Sequence, residues 1–251
     1  MIDSLKSKIN SFRSVKYKNI NLPIRRSNEG LNTNIKYLDS AVEQINHLKS
    51  LGTLKSTDKI LDFGCGQGRF VNGIIHSNTQ IGEYYGIDSN VDSINWCNRF
   101  LRSYTSKEIF QFLHLDSYNA RYNKRANGLK HIPLEQSQFD LIFLNSVFSH
   151  MLTKDIEFYL LEFHKLLKPD GIIYLTAFIE PNVPDVEENP LNYIAKSSGP
   201  LHRVRYDKTF FFELIENSGF VVSNFFHQHI KRAKQSVVVL KLKQNAVGGK
   251  E

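Results

Sequence analysis

The sequence predicts an α/β protein with a seven-stranded sheet, six parallel strands plus one antiparallel strand, and helices on both faces. From about Lys59 onward, short apolar runs alternate with segments in which apolar residues recur at spacings of three and four. This alternation is typical of a parallel sheet flanked by helices. The last two apolar runs are separated only by residues 228–235, which is too short for a crossover helix. These two strands should therefore pair antiparallel.

The predicted strands are the apolar runs, and the predicted helices are the periodic segments around them. Helices are expected over 35–48, 91–101, 156–166 and 209–217, the last with Asp207 as its N-cap. The first helix should bury Ile35, Leu38, Val42, Ile45 and Leu48. The strands are Lys59–Phe63, Tyr84–Ile87, Ile109–His114, Phe139–Asn145, Ile172–Phe178, Phe220–Phe226 and Ser236–Leu242.

The 251 residues are sufficient for one large domain with a buried core. Residues 1–55 are interpreted as an N-terminal arm and helix that cover the site, and residues 56–245 as the domain itself. Within that domain, residues 180–206 contain four of the seven prolines and no periodic pattern. A long connection of this kind predicts a lid-like loop. Residues 246–251 are expected to form a disordered tail.

Composition excludes several classes of protein. The longest uninterrupted apolar run is four residues, whereas a transmembrane helix needs about 20. The first twenty residues lack the apolar core of a secretory signal. Cys65 and Cys97 are too few for a disulfide framework or, alone, for a structural zinc site. The sequence therefore predicts a cytoplasmic protein with no membrane segment and no metal site.

The formal net charge of +7 is concentrated in three segments. Residues 1–30 carry +5, residues 121–131 carry +4 and residues 231–251 carry +5, so the rest of the chain sums to −7. A basic chain is one indication of nucleic-acid binding. An RNA-directed enzyme or an RNA-binding module is therefore an alternative. Unless the three segments converge in space, the charge bears on solubility and flexible ends more than on substrate.

A strand, three glycines at alternate positions and the start of a helix follow one another over Ile60–Phe70. Without a Cβ, Gly64, Gly66 and Gly68 let the backbone pass close to a ligand, and the loop leads to the free N–H groups of a helix N-terminus. The spacing G-x-G-x-G differs from the G-x-G-x-x-G that seats a dinucleotide pyrophosphate. The loop therefore predicts a site for a nucleoside-type cofactor.

Acidic residues follow the next two predicted strands. Asp88 ends the second strand, twenty residues after Gly68, and its carboxylate can accept hydrogen bonds from both hydroxyls of a ribose. Asp116 follows the third strand at the same edge of the sheet. Alternatively, Asp88 caps the following helix, and Asp116 is a solvated loop residue.

Taken together, these motifs resemble the class I S-adenosylmethionine-dependent methyltransferases, over roughly residues 55–242. Asp62 and the three glycines resemble the first motif of that family, and residues 139–145 and 166–171 resemble its fourth strand and the turn into its fifth. The resemblance implies a Rossmann-like fold and S-adenosylmethionine as cofactor, with Asp88 holding the ribose and Asp116 the adenine amino group. The cofactor-binding residues implied are Asp62, Gly64, Cys65, Gly66, Gly68, Asp88, Ser89, Asp116, Ser117 and Asn145.

The methyl acceptor should lie near the end of the fourth strand, Asn145–His150. This stretch lacks the Asn/Asp-Pro-Pro-aromatic motif that marks amino-group nucleic-acid methylases. Neither cysteine follows a proline, so the Pro-Cys nucleophile of C5 methylation is absent from the sequence as well. His150 is the first candidate for a general base, because histidine titrates near neutral pH. His202 and Tyr206, at the end of the proline-rich segment, are the rival candidates, and each of the three can instead be a packed or idle side chain. Arg25 and Arg26 are either acceptor ligands or part of a solvated arm.

The leading hypothesis is a small-molecule methyltransferase that O-methylates a sugar, a glycan or a secondary metabolite. The pattern from Ser146 to Met151, with the segment 166–176, resembles a subgroup often assigned to such acceptors. The alternatives are the RNA-directed protein and a cofactor-binding protein that acts without catalysis through a partner. The sequence does not indicate an oligomeric state.

Overall fold

The computed structural model describes residues 13–24, 26, 31–104 and 109–244. The expected tail at 246–251 lies outside the described residues. Within these ranges there are five α-helices: α1 Asn34–Ser50, α2 Arg69–His76, α3 Val91–Phe100, α4 Thr153–Leu166 and α5 Lys208–Asn217. The strands are β1 Ser14–Tyr17, β2 Ile20–Pro23, β3 Lys59–Phe63, β4 Glu83–Asp88, β5 Phe110–His114, β6 Phe139–Leu144, β7 Leu167–Glu180, β8 Val186–Glu188, β9 Val204–Asp207, β10 Phe220–Ile230 and β11 Gln235–Leu242.

Seven of these strands form the central sheet in the order β10-β11-β7-β6-β3-β4-β5. β11 pairs antiparallel with both β10 and β7, whereas the pairs β7–β6, β6–β3, β3–β4 and β4–β5 are parallel. Six strands therefore run in one direction and one runs against them. This confirms the predicted fold class, including the antiparallel pair at the end of the chain.

Helices cover both faces of the sheet, because successive strand residues alternate between two apolar clusters. Leu141 and Phe143 of β6 pack in the cluster that contains residues of α1, α2 and α3. Ile142 and Leu144 pack in the cluster that contains residues of α4 and α5. The near-continuous apolar runs of the sequence are thus explained by burial on both faces.

The sequence did not predict four short strands. β1 and β2 form an antiparallel hairpin inside the basic N-terminal arm. Within residues 180–206, β9 pairs parallel with the end of β7, from Phe178 to Glu180, and β8 pairs antiparallel with β9. The proline-rich segment is therefore partly anchored to the sheet, and its action as a lid stays a prediction.

Helix α1 buries three of the five predicted residues, Leu38, Ile45 and Leu48, but not the other two. Ile35 is 57% exposed, and Val42 is only partly buried. Polar residues take part in the buried face instead, including Ser40 and Gln44. Apolar periodicity missed them because their burial depends on hydrogen bonds to another element, described below. No helix within the described ranges is long and apolar enough to cross a membrane.

The aromatic packing beneath α4 gives a test of this arrangement. Phe163 is fully buried, and its ring lies edge-on to Phe63 at 5.1 Å between centroids. Phe163→Ala should lower the free energy of unfolding by about 3–5 kcal/mol, because it leaves a cavity in the core. Leu161→Ala is the matched control, since Leu161 lies on the same helix and is 56% exposed. Urea denaturation measures both variants, and equal losses would contradict the assigned buried face of α4.

Candidate active site

A cavity of about 560 Å³ opens at the carboxyl ends of the parallel strands. Its walls include Asp62 and Phe63 from the end of β3, Ile87 and Asp88 from the end of β4, and Phe143 from β6. This edge is where open α/β sheets bind ligands, because the loops that follow the strands converge there. The cavity is therefore the candidate active site.

The glycine loop after β3 forms one wall of this cavity. The backbone N–H groups of Gly64 and Cys65 donate to the Ile87 carbonyl, at 2.7 and 3.0 Å. Gly64 has φ 79°, and a Cβ there would lie 2.5 Å from Cγ2 of Val147. Gly66 has φ 54°, and a Cβ there would meet no atom within 4 Å. The first glycine is thus required by close packing, while the second presents bare backbone to the cavity.

Asp88 binds the loop through its carboxylate. Its Oδ2 accepts from the Gly66 N–H at 2.8 Å, and its Oδ1 accepts from the Asn90 N–H at 2.8 Å. Burial raises the pKa of this carboxyl, and the two backbone donors act in the opposite direction. Each oxygen has a further lone pair. The side chain can therefore hold the loop and also accept hydrogen bonds from a ligand.

Asp62 lies deeper in the same wall. It is 2% exposed, and Tyr84 donates its hydroxyl to Oδ2 at 2.6 Å. Burial raises the pKa of Asp62 to about 7, against the lowering effects of Tyr84 and Arg69. The group is thus poorly suited to carry a permanent negative charge. Its partner Tyr84 indicates that it helps to fix the floor of the cavity.

The structure brings most of the predicted cofactor residues to the cavity and leaves two outside it. Gly68 is the N-cap of α2 with φ 70° and does not line the cavity. Asp116 is exposed and accepts a hydrogen bond from Asn123 Nδ2 at 2.9 Å, so its predicted adenine contact has no support in the cavity walls. The predicted cofactor residues in the walls are Asp62, Gly64, Cys65, Gly66, Asp88, Ser89, Ser117 and Asn145.

Asn145, just after β6, belongs to a polar network that crosses from the sheet to α1. Gln44 donates from Nε2 to Asn145 Oδ1 at 2.5 Å, and Arg69 donates to Gln44 Oε1 at 2.5 Å. Arg69 also donates to Ser40 Oγ at 3.2 Å. Burial lowers the pKa of Arg69 to about 10. These contacts explain the polar residues on the buried face of α1.

His150 lies in the cavity wall and is held in one orientation. Its Nδ1 lies 2.9 Å from the Leu201 carbonyl, which can only accept, so Nδ1 carries the hydrogen. The neutral ring then has its lone pair on Nε2. Burial, followed by the charges of Arg121 and His202, lowers the pKa of His150 to about 4. The side chain is therefore neutral at neutral pH and is able to accept a proton.

The other two predicted catalytic residues differ from His150 in their surroundings. His202 lines the cavity, and its Nδ1 accepts from the Ser198 N–H at 2.8 Å, so its neutral ring carries hydrogen on Nε2. Tyr206 is fully buried outside the cavity, where its hydroxyl donates to the Met151 carbonyl. Burial raises the pKa of that phenol. Tyr206 is therefore corrected to a structural residue, because a buried phenol already donating to a carbonyl cannot reach an acceptor.

Sequence reasoning missed several cationic walls of the cavity. Arg69, Arg121 and Arg232 all line it, and so does Arg26, one of the two arginines that the sequence left as either an acceptor ligand or part of a solvated arm. The guanidinium of Arg26 is taken up by the Pro23 and Leu31 carbonyls and by Asn34. Arg25 lies outside the described residues. The only available signal was the clustering of positive charge in the sequence, which does not show whether a basic side chain faces the cavity or the solvent.

The residues present fit a nucleoside-type cofactor. The bare backbone at Gly66 leaves room for a ligand to approach, and Asp88 offers a carboxylate beside it. Ile87 and Leu115 add apolar surface nearby. Such a combination of apolar walls with a few convergent polar groups is usual for small-molecule sites of this size. The described residues contain no cluster of three or more metal-ligating side chains.

Comparison with known proteins agrees with this geometry. A family model described as a methyltransferase domain matches residues 61–173. The Leishmania major S-adenosylmethionine-dependent methyltransferase has a TM-score of 0.60 at 12% identity, covering 94% of this chain and 82% of its own. Magnesium protoporphyrin IX methyltransferase from Synechocystis PCC 6803 has a TM-score of 0.56 at 12% identity, and the match covers 88% of this chain and 90% of that one. The 1,6-didemethyltoxoflavin-N1-methyltransferase of Burkholderia thailandensis has a TM-score of 0.52 at 16% identity, and the match covers 83% of this chain and 79% of that one. All three share the fold of this chain.

The lowered pKa of His150 predicts a pH dependence of stability. Between pH 6.5 and about 4 the unfolded chain takes up a proton at this residue and the folded chain does not. The folded state therefore loses stability as pH falls through this window, by on the order of 3 kcal/mol from this one group. His150→Asn should remove that loss.

Urea denaturation between pH 4.5 and 7 measures this effect. The matched control is His164→Asn, at an exposed histidine of α4 that does not line the cavity, which should keep the pH slope of the native protein. If His150→Asn keeps that slope too, His150 is not held neutral in the folded state.

Proposed function

We propose that this chain, whose residues 61–173 match the family model of a methyltransferase domain, is a class I S-adenosylmethionine-dependent methyltransferase that transfers the methyl group to a hydroxyl of a small molecule. The acceptor we favour is a sugar, a glycan or a secondary metabolite. The observation that carries the proposal is that one cavity joins the glycine loop and Asp88 to His150. Its volume of about 560 Å³ is in the range of small-molecule sites. The two cysteines are free and buried, in line with a cytoplasmic location.

The cofactor is proposed to lie along the glycine loop. S-adenosylmethionine, when bound, supplies an electrophilic methyl group on a sulfonium. Asp88 is the group suited to the ribose hydroxyls, because charge-assisted hydrogen bonds to a carboxylate are strong. Ser89 and Ser117 line the same part of the cavity. Ser117 is itself fixed by Tyr159, with 2.6 Å between the two hydroxyl oxygens.

His150 is the proposed general base. Its hydrogen on Nδ1 is directed to the Leu201 carbonyl, which leaves the lone pair of Nε2 to receive the proton of a hydroxyl acceptor. The network of Arg69, Gln44 and Asn145 fixes the wall at the end of β6. Methyl transfer is an in-line displacement, so positioning of the acceptor is the main task of these walls.

Residues 180–206 are proposed to shield the acceptor from water. Two of their backbone carbonyls accept hydrogen bonds from the rest of the site. The Leu201 carbonyl accepts from His150 Nδ1, and the Ser198 carbonyl accepts from Arg121 Nη1 at 3.0 Å. Ile194, His202 and Arg203 of this segment line the cavity. Movement of this segment would open the cavity to an acceptor and closure would exclude water.

The function is tested with S-adenosylmethionine tritiated on the methyl group. Incubated with the protein and a fractionated metabolite and glycan extract, the label should appear in one of these fractions. His150→Gln should reduce the transfer by about 10²–10⁴-fold, the usual contribution of a general base, while the protein still binds S-adenosylhomocysteine. Cofactor binding without transfer to any fraction would favour a non-catalytic protein, and transfer to an RNA fraction would favour the RNA-directed alternative.

Cofactor binding is tested separately by titration calorimetry with S-adenosylhomocysteine. Asp88→Asn should weaken the affinity about 10- to 100-fold, because the loss of a hydrogen bond to a charged group costs about 1.5–3 kcal/mol. Asp116→Asn is the matched control and should leave the affinity unchanged, since Asp116 is outside the cavity. A weakening in Asp116→Asn alone would restore the contact that the sequence predicted there.

A further inference from the structure

The three basic segments of the sequence converge on the cavity. Residues 1–30 contribute Arg26, residues 121–131 contribute Arg121 and residues 231–251 contribute Arg232 to its walls. Arg69 adds a fourth cation from the first turn of α2. The acidic residues Asp62, Asp88 and Asp92 lie instead at the ends of β3 and β4 or just after them. The cavity therefore has an acidic part along the glycine loop and cationic walls elsewhere.

Arg121 has hydrogen-bonding capacity that the protein does not use. Its Nη1 donates to the Ser198 carbonyl at 3.0 Å, and its guanidinium lies 5.6 Å from the centre of the Tyr122 ring. Its Nε is buried and has no hydrogen-bond partner among the described residues. Within that part of the chain it forms no ion pair with a carboxylate either. The cavity cannot reach this buried Nε, but the remaining Nη N–H groups of Arg121 have no partner among the described residues, so this cavity-lining guanidinium can donate to an anion.

A second pair of cations lies in the same walls. The charge of Arg232 is one of the causes that lower the pKa of Arg69, so the two guanidinium groups are near each other. Arg69 is 6% exposed and is hydrogen-bonded only to neutral groups, Ser40 and Gln44. Neither arginine forms an ion pair within the described ranges, although the charge of Asp62 acts on Arg69 and that of Glu43 on Arg232. Like charges in a half-enclosed site repel, and a bound anion would relieve the repulsion.

We propose that the methyl acceptor is a small organic acid or phosphate ester whose anionic group is held by Arg121, with Arg232 as a second cation. This inference rests on the proposed function and narrows its substrate class. Guanidinium groups suit both anions, because their planar fork matches carboxylate and phosphate oxygens. The methylated hydroxyl would then be a different group of the same molecule, near His150.

Arg121 also connects the anion to the proposed base. The charge of Arg121 contributes to the lowered pKa of His150, together with burial and the charge of His202. The Tyr122 ring contacts both, with Arg121 5.6 Å from its centre and His150 edge-on to it at 5.4 Å. An anion that offsets the charge of Arg121 would make His150 a stronger base only when an acidic acceptor is present. The site would thus favour acidic over neutral hydroxyl compounds in catalysis as well as in binding.

The cofactor does not account for all of these cations. S-adenosylmethionine and its demethylated product carry one carboxylate each, next to an ammonium group. Arg69 lies directly after the glycine loop and is available for that carboxylate. Arg121 belongs to a different segment, after β5, beside His150 and Ser198. Anion binding to a protein already saturated with S-adenosylhomocysteine therefore reports on the acceptor part.

The test is titration calorimetry of the saturated protein with inorganic phosphate and two matched pairs of compounds. The pairs are glucose 6-phosphate with glucose, and 4-hydroxybenzoate with 4-hydroxybenzyl alcohol. In at least one pair, the acid should bind about tenfold or more tightly than its neutral partner. Arg121→Gln should lower this preference for the acid by about tenfold. Arg232→Gln should reduce the preference in part, and Arg121→Lys should retain some of it.

The matched control is Arg125→Gln, at an exposed arginine of the same basic segment that does not line the cavity. Equal binding within every pair, no binding of any anion, or equal effects of Arg121→Gln and Arg125→Gln would overturn the proposal. Binding of a short RNA that depends on Arg121, without binding of the small acids, would also overturn it. Failure of S-adenosylhomocysteine to bind would instead count against the proposed function, and the anion titrations can be repeated without it.

Discussion

The hydrogen bond from the Gly66 N–H to the Asp88 carboxylate joins the two strands on which the cavity is built. The loop after β3 is tied at the same place by two further N–H groups that donate to the Ile87 carbonyl. A carboxylate buried in this position needs donors, and the glycine backbone supplies one because no side chain intervenes. This contact, together with the bonds to the Ile87 carbonyl and the Asn90 N–H that also binds Asp88, fixes the loop beside the cavity.

The charges of the cavity are divided in a way that suits two ligands of different polarity. Carboxylates lie along the glycine loop, where a nucleoside presents hydroxyls and amino groups as donors. Arginines from three separate segments form other walls. The hydrogen bonds of Arg121 and Arg69 go to a carbonyl, a hydroxyl and an amide, and within the described part of the chain neither these two nor Arg232 is ion-paired with a carboxylate. The positions of the arginines around the cavity therefore say more about the ligand than the net charge of the protein does.

Much of the fold could be predicted from the sequence, because burial on both faces produces long apolar runs and the glycine loop has a distinctive spacing. The location of Asp88 and His150 in the cavity wall could also be predicted, because each stands at or after the end of a strand. The two strands within residues 180–206 could not be predicted, since their pairing with the end of β7 is a long-range contact. The exposed position of Asp116 and the buried one of Tyr206 depend on side-chain direction, which a pattern along the chain does not contain.

The position of Arg121 in the cavity wall bears most directly on the choice between a small acid and RNA, whereas Arg232 lies at the exposed rim. Phosphate contacts to a long polyanion need cations spread over an accessible surface, so that several backbone charges are neutralised at once. Here the cations that line the cavity share it with a neutral histidine and with the glycine loop. A single anionic group on a small molecule can be enclosed there together with a hydroxyl, whereas a nucleic-acid backbone would need the surrounding walls to open. The same residues that suggested an RNA-binding protein in the sequence thus favour a small acidic acceptor in the folded chain.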